Sequence, residues 1–156
     1  MQNTVELFAA PGTLSVQLGA DTRFTLVVTG LIFVSALFLG TWKYHGIRTS
    51  PDGAAHLYVD IAHRAALMYS FAGLLLAVFT ELSEWPTAVN LVAAAVVLAF
   101  FIGAVATYAW HGYRRDTTNQ FRGDIGVQLR VTMIALVVGE IGGFLVLFSG
   151  FLWGLR

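Results

Sequence analysis

The sequence contains no cysteine, which excludes disulfide bonds, thiolate metal ligands and cysteine nucleophiles. Charged residues make up only 12% of the chain, about half of the share found in soluble proteins. Basic and acidic residues are equal in number, nine of each, so the basic excess that binds nucleic acid is missing. Apolar residues account for 57% of the 156 positions. This composition excludes a soluble domain and indicates one that lies in a membrane.

Four apolar stretches are long enough to cross a bilayer core, which takes roughly 20 helical residues. They cover residues 24–42, 57–82, 87–110 and 127–153. We therefore predict an all-α membrane protein, a single four-helix domain with both termini on the same side. The segment from Met1 to Thr22 has no positively charged region before an apolar core, so we expect an interfacial segment there rather than a signal peptide.

Lysine and arginine are distributed unequally between the two sides of the predicted bundle. Seven of the nine lie at or next to the first and third loops, and only Arg23 and Arg156 lie on the other side. Because positive charge favours the cytoplasmic side, we expect these two loops in the cytoplasm and both termini outside, in an inner (plasma) membrane of the bacterial type. The seven are Lys43, Arg48, Arg64, Arg114, Arg115, Arg122 and Arg130.

The second span begins with an unusual number of polar side chains. His56, Asp60 and His63 are spaced i, i+4 and i+7, which places them on one face of a helix. An ionisable group facing hydrocarbon costs several kcal/mol, so this face must meet protein, water or a cofactor. Arg64, which follows directly, can extend toward the headgroups or pair with Asp60.

One histidine and one tyrosine are expected at similar depth in the membrane on neighbouring spans. His63 lies about two turns inside the second span, and Tyr108 lies about one turn before the end of the third. We therefore expect them to meet in a pocket near the cytoplasmic face, bordered by Arg130. Each has a structural alternative: an interhelical hydrogen bond for His63 and an interfacial aromatic for Tyr108. Glu140 lies deeper, either protonated at a helix crossing or lining the cavity.

Glycines recur along the fourth span at spacings of four, seven and four residues. Such a stripe allows helix backbones to approach closely in lipid. The pattern leaves open whether the stripe packs inside the four-helix chain or against another copy. The glycines are Gly139, Gly143, Gly150 and Gly154.

Short motifs in the last three spans resemble one known family. They are Ser50-Pro51-Asp52-Gly53, Ala62-His63, Tyr108 at 45 residues after His63, Asn119-Gln120-Phe121 and Gly123-Asp124-Ile125. On these residues the chain resembles the small four-helix membrane isomerases typified by styrene oxide isomerase, a family similar to the hydroxylaminobenzene mutases. The segment that begins at Asn119 is the most specific part of the likeness.

The resemblance implies a homotrimer that holds haem b between its subunits and converts an epoxide to an aldehyde or ketone. His63 would be the axial ligand of the haem iron, with Asp60, Arg64 and Arg130 also assigned to cofactor binding. Tyr108 and Tyr69 would act on a small apolar substrate that partitions into the bilayer. The sequence departs from the family at two positions, because Tyr69 replaces an asparagine and Arg64 replaces a small residue.

Three other hypotheses remain open at the level of the sequence. A non-haem metal site could use His56, Asp60 and His63, with Glu140 contributed by another helix. A b-type cytochrome passing electrons to quinone would need a second histidine, either His45 or His111, opposite His63. The chain could also be a four-helix membrane protein with no catalytic role.

Overall fold

The computed structural model describes residues 17–123 and 125–156. Within them the chain forms four helices and no strand, and each helix is long and apolar enough to cross a membrane. The predicted all-α four-helix architecture is therefore confirmed. Most of the expected interfacial segment, and Asp124 of the third loop, lie outside the described residues. The helices are α1 (Ala20–Thr49), α2 (Leu57–Leu82), α3 (Thr87–Arg114) and α4 (Val127–Gly154).

The first helix is longer at both ends than the apolar stretch that predicted it. Asp21 and Thr22, expected in the interfacial segment, are helical and buried. Asp21 lies in the first turn, where its carboxylate accepts a hydrogen bond from the Thr22 N–H at 3.0 Å. A negative charge at this position is favoured by the helix dipole. The helix therefore begins a few residues before the apolar stretch that starts at residue 24.

Consecutive helices run antiparallel, as their end contacts show. At one end the Gly19 N–H donates to Glu81 Oε2 at 3.3 Å, and the Glu84 N–H donates to the Gly150 carbonyl at 3.3 Å. We call this the turn end, because residues 83–86 connect α2 to α3 there. The opposite end carries the connections 50–56 and 115–126 and is called the two-loop end.

Small residues let α1 and α2 pack closely along their length. Ala36 and Ala66 are completely buried, and a side chain added at Gly73 would meet Thr29 of α1. Close backbone approach of this kind stabilises helix pairs in lipid, where the hydrophobic effect contributes little. The helices α1, α2 and α3 thus form a tight unit.

The fourth helix is attached more loosely. It packs on α3 and on part of α2 but makes no contact with α1, and only Leu147 and Gly150 of its residues are buried. Its second half is held at the turn end, where Trp85 Nε1 donates to the Val146 carbonyl at 3.0 Å.

The glycine stripe of α4 faces the interior of the same chain. Added side chains would meet Phe100 at Gly139 and the Ala93 carbonyl oxygen, at 2.9 Å, at Gly143. They would also meet residues of the turn at the other two glycines, namely Ser83 and Trp85 at Gly150 and Glu84 at Gly154. The alternative left open by the sequence is therefore decided in favour of packing within the chain.

Candidate functional site

The imidazole of His63 is held by a single hydrogen bond to α1. Its Nδ1 lies 2.9 Å from the carbonyl oxygen of Ala36. Because a carbonyl oxygen only accepts, Nδ1 is the donor in this bond, and in the neutral ring Nε2 is then the nitrogen with a free lone pair. No hydrogen-bond partner of Nε2 is found among the described residues. This is the arrangement in which a histidine serves as a metal or haem ligand, since the bond at Nδ1 fixes both the tautomer and the ring orientation.

A glycine of α1 makes room for this ring. A Cβ added at Gly40 would lie 2.9 Å from His63 Cε1 and 3.2 Å from Nδ1, closer than van der Waals contact permits. Ala36, one turn earlier, offers its carbonyl to the same ring. The position of His63 therefore depends on two small residues of α1.

Exposed apolar side chains flank His63 on the outside of the α1–α2 pair. Those on α1 lie within two turns of Gly40. Those on α2 are Phe71 and Leu74, eight and eleven residues after His63, which keeps them on its side of the helix. We call this surface the α1–α2 outer face. It consists of Phe33, Leu37, Tyr44, Phe71 and Leu74, all exposed.

A compact charge cluster lies one turn from His63, toward the two-loop end. Asp60 contacts Lys43 of α1 at 2.6 Å and Arg64 of α2 at 2.7 Å. Of the two alternatives left open for Arg64, the structure shows the pairing with Asp60. Lys43 is a further partner that the sequence did not reveal. The cluster carries one more positive than negative charge, and Arg64 remains exposed.

Tyr108, on α3, packs against a different side of α2 from the one that carries His63. Its ring lies 6.0 Å from that of Tyr58, which in turn lies 5.2 Å from His111. The hydroxyl of the buried Tyr58 accepts a hydrogen bond from the Gln120 N–H at 2.8 Å. This bond fixes the third loop, with the Asn119-Gln120-Phe121 motif, over the two-loop end of α2 and α3.

Tyr108 also lines a cavity of about 360 Å³ between α3 and α4. We call it the Tyr108 cavity. One part of its wall is apolar, formed by Phe100, Leu129, Met133 and Leu136, and the remainder carries hydroxyl and amide groups. Those polar residues are Thr107, Gln120, Gln128 and Thr132. Its size and mixed lining suit a small molecule with one polar end.

Tyr69 lies deeper on the same side of α2 as Tyr108. Its ring stacks on Phe101 with centroids 4.2 Å apart and planes 10° apart. Phe101 in turn lines a cavity together with Glu140 of α4. The structure therefore brings Tyr69 and Glu140 to the same phenylalanine between α2, α3 and α4.

His63 and Tyr108, which were expected to meet in one pocket, share no contact or cavity lining among the described residues. Six residues separate His63 from Tyr69, which corresponds to about 120° around the helix axis. His63 therefore faces α1, whereas Tyr69 packs on Phe101 of α3. Tyr108, on α3, packs on Tyr58 of α2 and lines the cavity shared with α4. Arg130 is exposed on α4, which has no contact with α1. The expectation rested on depth along the helices, which does not specify how each helix is rotated about its axis.

The non-haem metal hypothesis finds no support in the arrangement of its ligands. Among the described residues no three histidine, aspartate or glutamate side chains come together in a group that could hold a metal ion. His56 instead caps α2 by accepting from the Tyr58 N–H at 3.4 Å, and Asp60 is occupied by its two cations. Glu140 lies on the other side of α2 from His63.

The second histidine of a bis-histidine cytochrome is also not placed opposite His63. His111 lies beside Tyr58 and Asp116, on the side of α2 that faces α3. His45 is five residues beyond Gly40, about 140° around α1 from the residue that meets His63. A single chain therefore offers one candidate axial ligand at His63.

Several residues of the site were missed at the level of the sequence. A usable signal existed for Gln128 and Thr132, because their i, i+4 spacing with Leu136 predicts one helix face with a polar start. No such signal marked Gly40 or Lys43, whose roles depend on how α1 is rotated against α2. Comparisons of the chain with protein-family models, curated proteins and solved structures find no match.

Proposed function

We propose that this chain is a haem b-dependent membrane isomerase that converts a small apolar epoxide to an aldehyde or ketone. The observation that carries the proposal is the environment of His63, whose Nδ1 is bound to the Ala36 carbonyl and whose Nε2 is left without a partner. A neutral imidazole held in this way is suited to ligate haem iron.

The surroundings of His63 are compatible with a porphyrin. The α1–α2 outer face supplies apolar and aromatic surface of the kind that lines cofactor sites. Arg64, the residue after His63, and Lys43 of α1 meet at Asp60, one turn away, and the three carry a net positive charge. Such cations pair with carboxylates like the two propionates of haem b. In this proposal Asp60 orients the two cations.

The separate surroundings of His63, against α1, and of Tyr108, at the cavity between α3 and α4, support a site shared between copies of the chain. A cofactor on the α1–α2 outer face would be open to lipid in a single protomer. A second copy could cover it with its α3–α4 side, which carries Tyr108 and Arg130. A homotrimer closes such head-to-tail contacts into a ring without leaving an open end.

The reaction demands little from the protein. When bound, ferric haem supplies Lewis-acid activation of the epoxide oxygen; the rearrangement then consists of C–O cleavage and migration of hydride to the adjacent carbon, with no second substrate. The hydroxyls of Tyr108 and Tyr69 would donate hydrogen bonds to the substrate oxygen as negative charge develops on it. The apolar wall of the Tyr108 cavity would exclude water, which otherwise opens the ring to a diol.

The same charge asymmetry that orients the helices fits this function. We place the two-loop end at the cytoplasm and both termini outside, in a plasma membrane, because seven basic residues lie at that end. A small epoxide partitions into the bilayer and would reach the site from within it.

The test is the absorption spectrum of the detergent-purified protein produced with sufficient haem. We expect a Soret band that is lost or shifted in His63→Ala and retained in the matched variant His45→Ala. Isomerase activity toward an aryl epoxide should disappear with the band. A wild-type protein that stays colourless after reconstitution with haem would end the proposal. A low-spin, readily reduced spectrum that depends on His111 would favour the cytochrome hypothesis instead.

A further inference from the structure

Glu140 lines a cavity that the proposed isomerase site does not use. The cavity has a volume of about 350 Å³ and lies between α2, α3 and α4. All its other lining side chains are apolar, so the carboxyl group of Glu140 is its one polar feature. The lining residues are Ala72, Leu75, Leu76, Val97, Phe101, Ile141, Phe144 and Leu145. We call this space the Glu140 cavity.

The carboxyl group has no partner in the described part of the chain. Glu140 Oε1 is buried and makes no hydrogen bond. Burying a polar atom without a hydrogen bond costs free energy, and a buried ionised carboxylate costs more unless an opposite charge accompanies it. A ligand that brings a positive charge and N–H donors would remove both costs.

The aromatic rings around the cavity favour the same kind of ligand. Phe101 and Phe144 line it directly, and Tyr69 stacks on Phe101. Aromatic faces attract organic cations, most strongly where water is excluded. One carboxyl group among aromatic and aliphatic side chains therefore has the charge and shape complementarity that recognises an apolar amine.

Access to the cavity is from the membrane rather than from water. Three of its lining residues, Leu75, Ile141 and Leu145, are exposed on the outside of helices that are apolar enough to span a bilayer. A neutral amine dissolves in the bilayer and can pass these side chains.

We propose that the Glu140 cavity binds a small lipophilic amine as its ammonium form. The amine enters uncharged, the carboxylic acid of Glu140 transfers its proton to the amine nitrogen, and an ammonium–carboxylate pair results with no net change in charge. The site holds a molecule with one aryl or alkyl group and a primary or secondary amine. It is separate from His63 and independent of haem.

The experiment compares 4-phenylbutylamine with 4-phenylbutanol, its neutral analogue, on the full chain in detergent micelles. Titration calorimetry, corrected with empty micelles, should show saturable binding of the amine and only partition of the alcohol. Infrared difference spectra should show loss of a protonated carboxyl band when the amine is added. Glu140→Gln should weaken amine binding at least about tenfold and remove the infrared change.

Two further variants keep the result interpretable. Ala72→Phe fills the cavity but keeps the carboxyl group, and should also abolish binding. Ala99→Phe places the same ring on an exposed position of α3 and should bind as the wild type does. Equal binding of amine and alcohol, or unchanged amine binding by Glu140→Gln, would overturn the proposal. A His63→Ala protein should bind the amine normally, which separates this outcome from failure of the isomerase hypothesis.

Discussion

At the scale of single residues, the end of α3 shows how polar side chains terminate a membrane helix. Arg115 takes a left-handed conformation, with φ at 52°, and its N–H bonds to the His111 carbonyl. Directly after it, Asp116 Oδ1 accepts a hydrogen bond from His111 Nδ1 at 2.8 Å, and Arg114 approaches the other oxygen at 3.4 Å. The chain thus turns sharply into the third loop, which then reaches Tyr58.

The hydrogen bond from His111, aided by the charge of Arg114, holds the pKa of Asp116 below its ordinary value of 3.8. A carboxyl group whose pKa is lower in the folded state stabilises that state above the ordinary value, and the effect is lost as pH falls through the lowered pKa. Asp116→Asn should therefore lower the thermal unfolding temperature at neutral pH, and the difference from wild type should shrink on acidification below about pH 4.

Thermal unfolding in detergent across a series of pH values measures this difference. Asp52→Asn is the matched control, because Asp52 is an exposed loop residue with no ion pair among the described residues. A difference between Asp116→Asn and wild type that persists unchanged at low pH would contradict the assignment.

At the scale of helices, hydropathy predicted the elements well because the bilayer core sets their length. The boundaries of α2 agree with the sequence, and α4 differs by one residue at its end. α1 and α3 extend further, to Thr49 and Arg114, because a helix continues into the polar layer where hydropathy no longer marks it. The partner of His63 was not predictable, since the rotation of α1 depends on contacts at Gly40 and Gly73.

Gly73 offers a test of this close packing. A Cβ at this position would meet Thr29 of α1, so Gly73→Ala should force the two helices apart and destabilise the protein by about 1–3 kcal/mol. Gly30→Ala is the control, because nothing lies near an added Cβ there; it should be neutral or stabilising by up to about 1 kcal/mol. Unfolding by a denaturing detergent compares the three proteins. Equal stability of both variants would show that α1 and α2 are not in close contact.

At the scale of the whole molecule, the two groups of site residues contact different helices of one protomer. His63 contacts α1 beside the α1–α2 outer face, while Tyr108 and Tyr69 lie between α2, α3 and α4. A single sequence reports depth in the membrane through hydropathy, but it reports rotation only where a polar stripe is continuous. For this reason the residues of the candidate site were predictable one by one, whereas their division between two surfaces was not.

Mixing experiments test whether the proposed site is shared between copies. His63→Ala and Tyr108→Leu should each be inactive alone. Co-expressed in equal amounts, they should regain about a quarter of wild-type activity, since a quarter of the interfaces in a closed ring would combine an intact His63 with an intact Tyr108. The doubly substituted chain, mixed with either single variant, is the control and should stay inactive. No recovery in the mixture of single variants would place both residues in one protomer's site.

The uneven attachment of α4 means that its two halves depend to different degrees on contacts with the other helices. Its final turns are secured by Trp85 and by the glycines near the turn, whereas the portion from Val127 to Leu136 has no buried residue. Segments with few buried contacts open at low free energy and on microsecond to millisecond timescales. By this measure the Val127 end of α4, which lines the Tyr108 cavity, is the part of the bundle that the other helices hold least firmly.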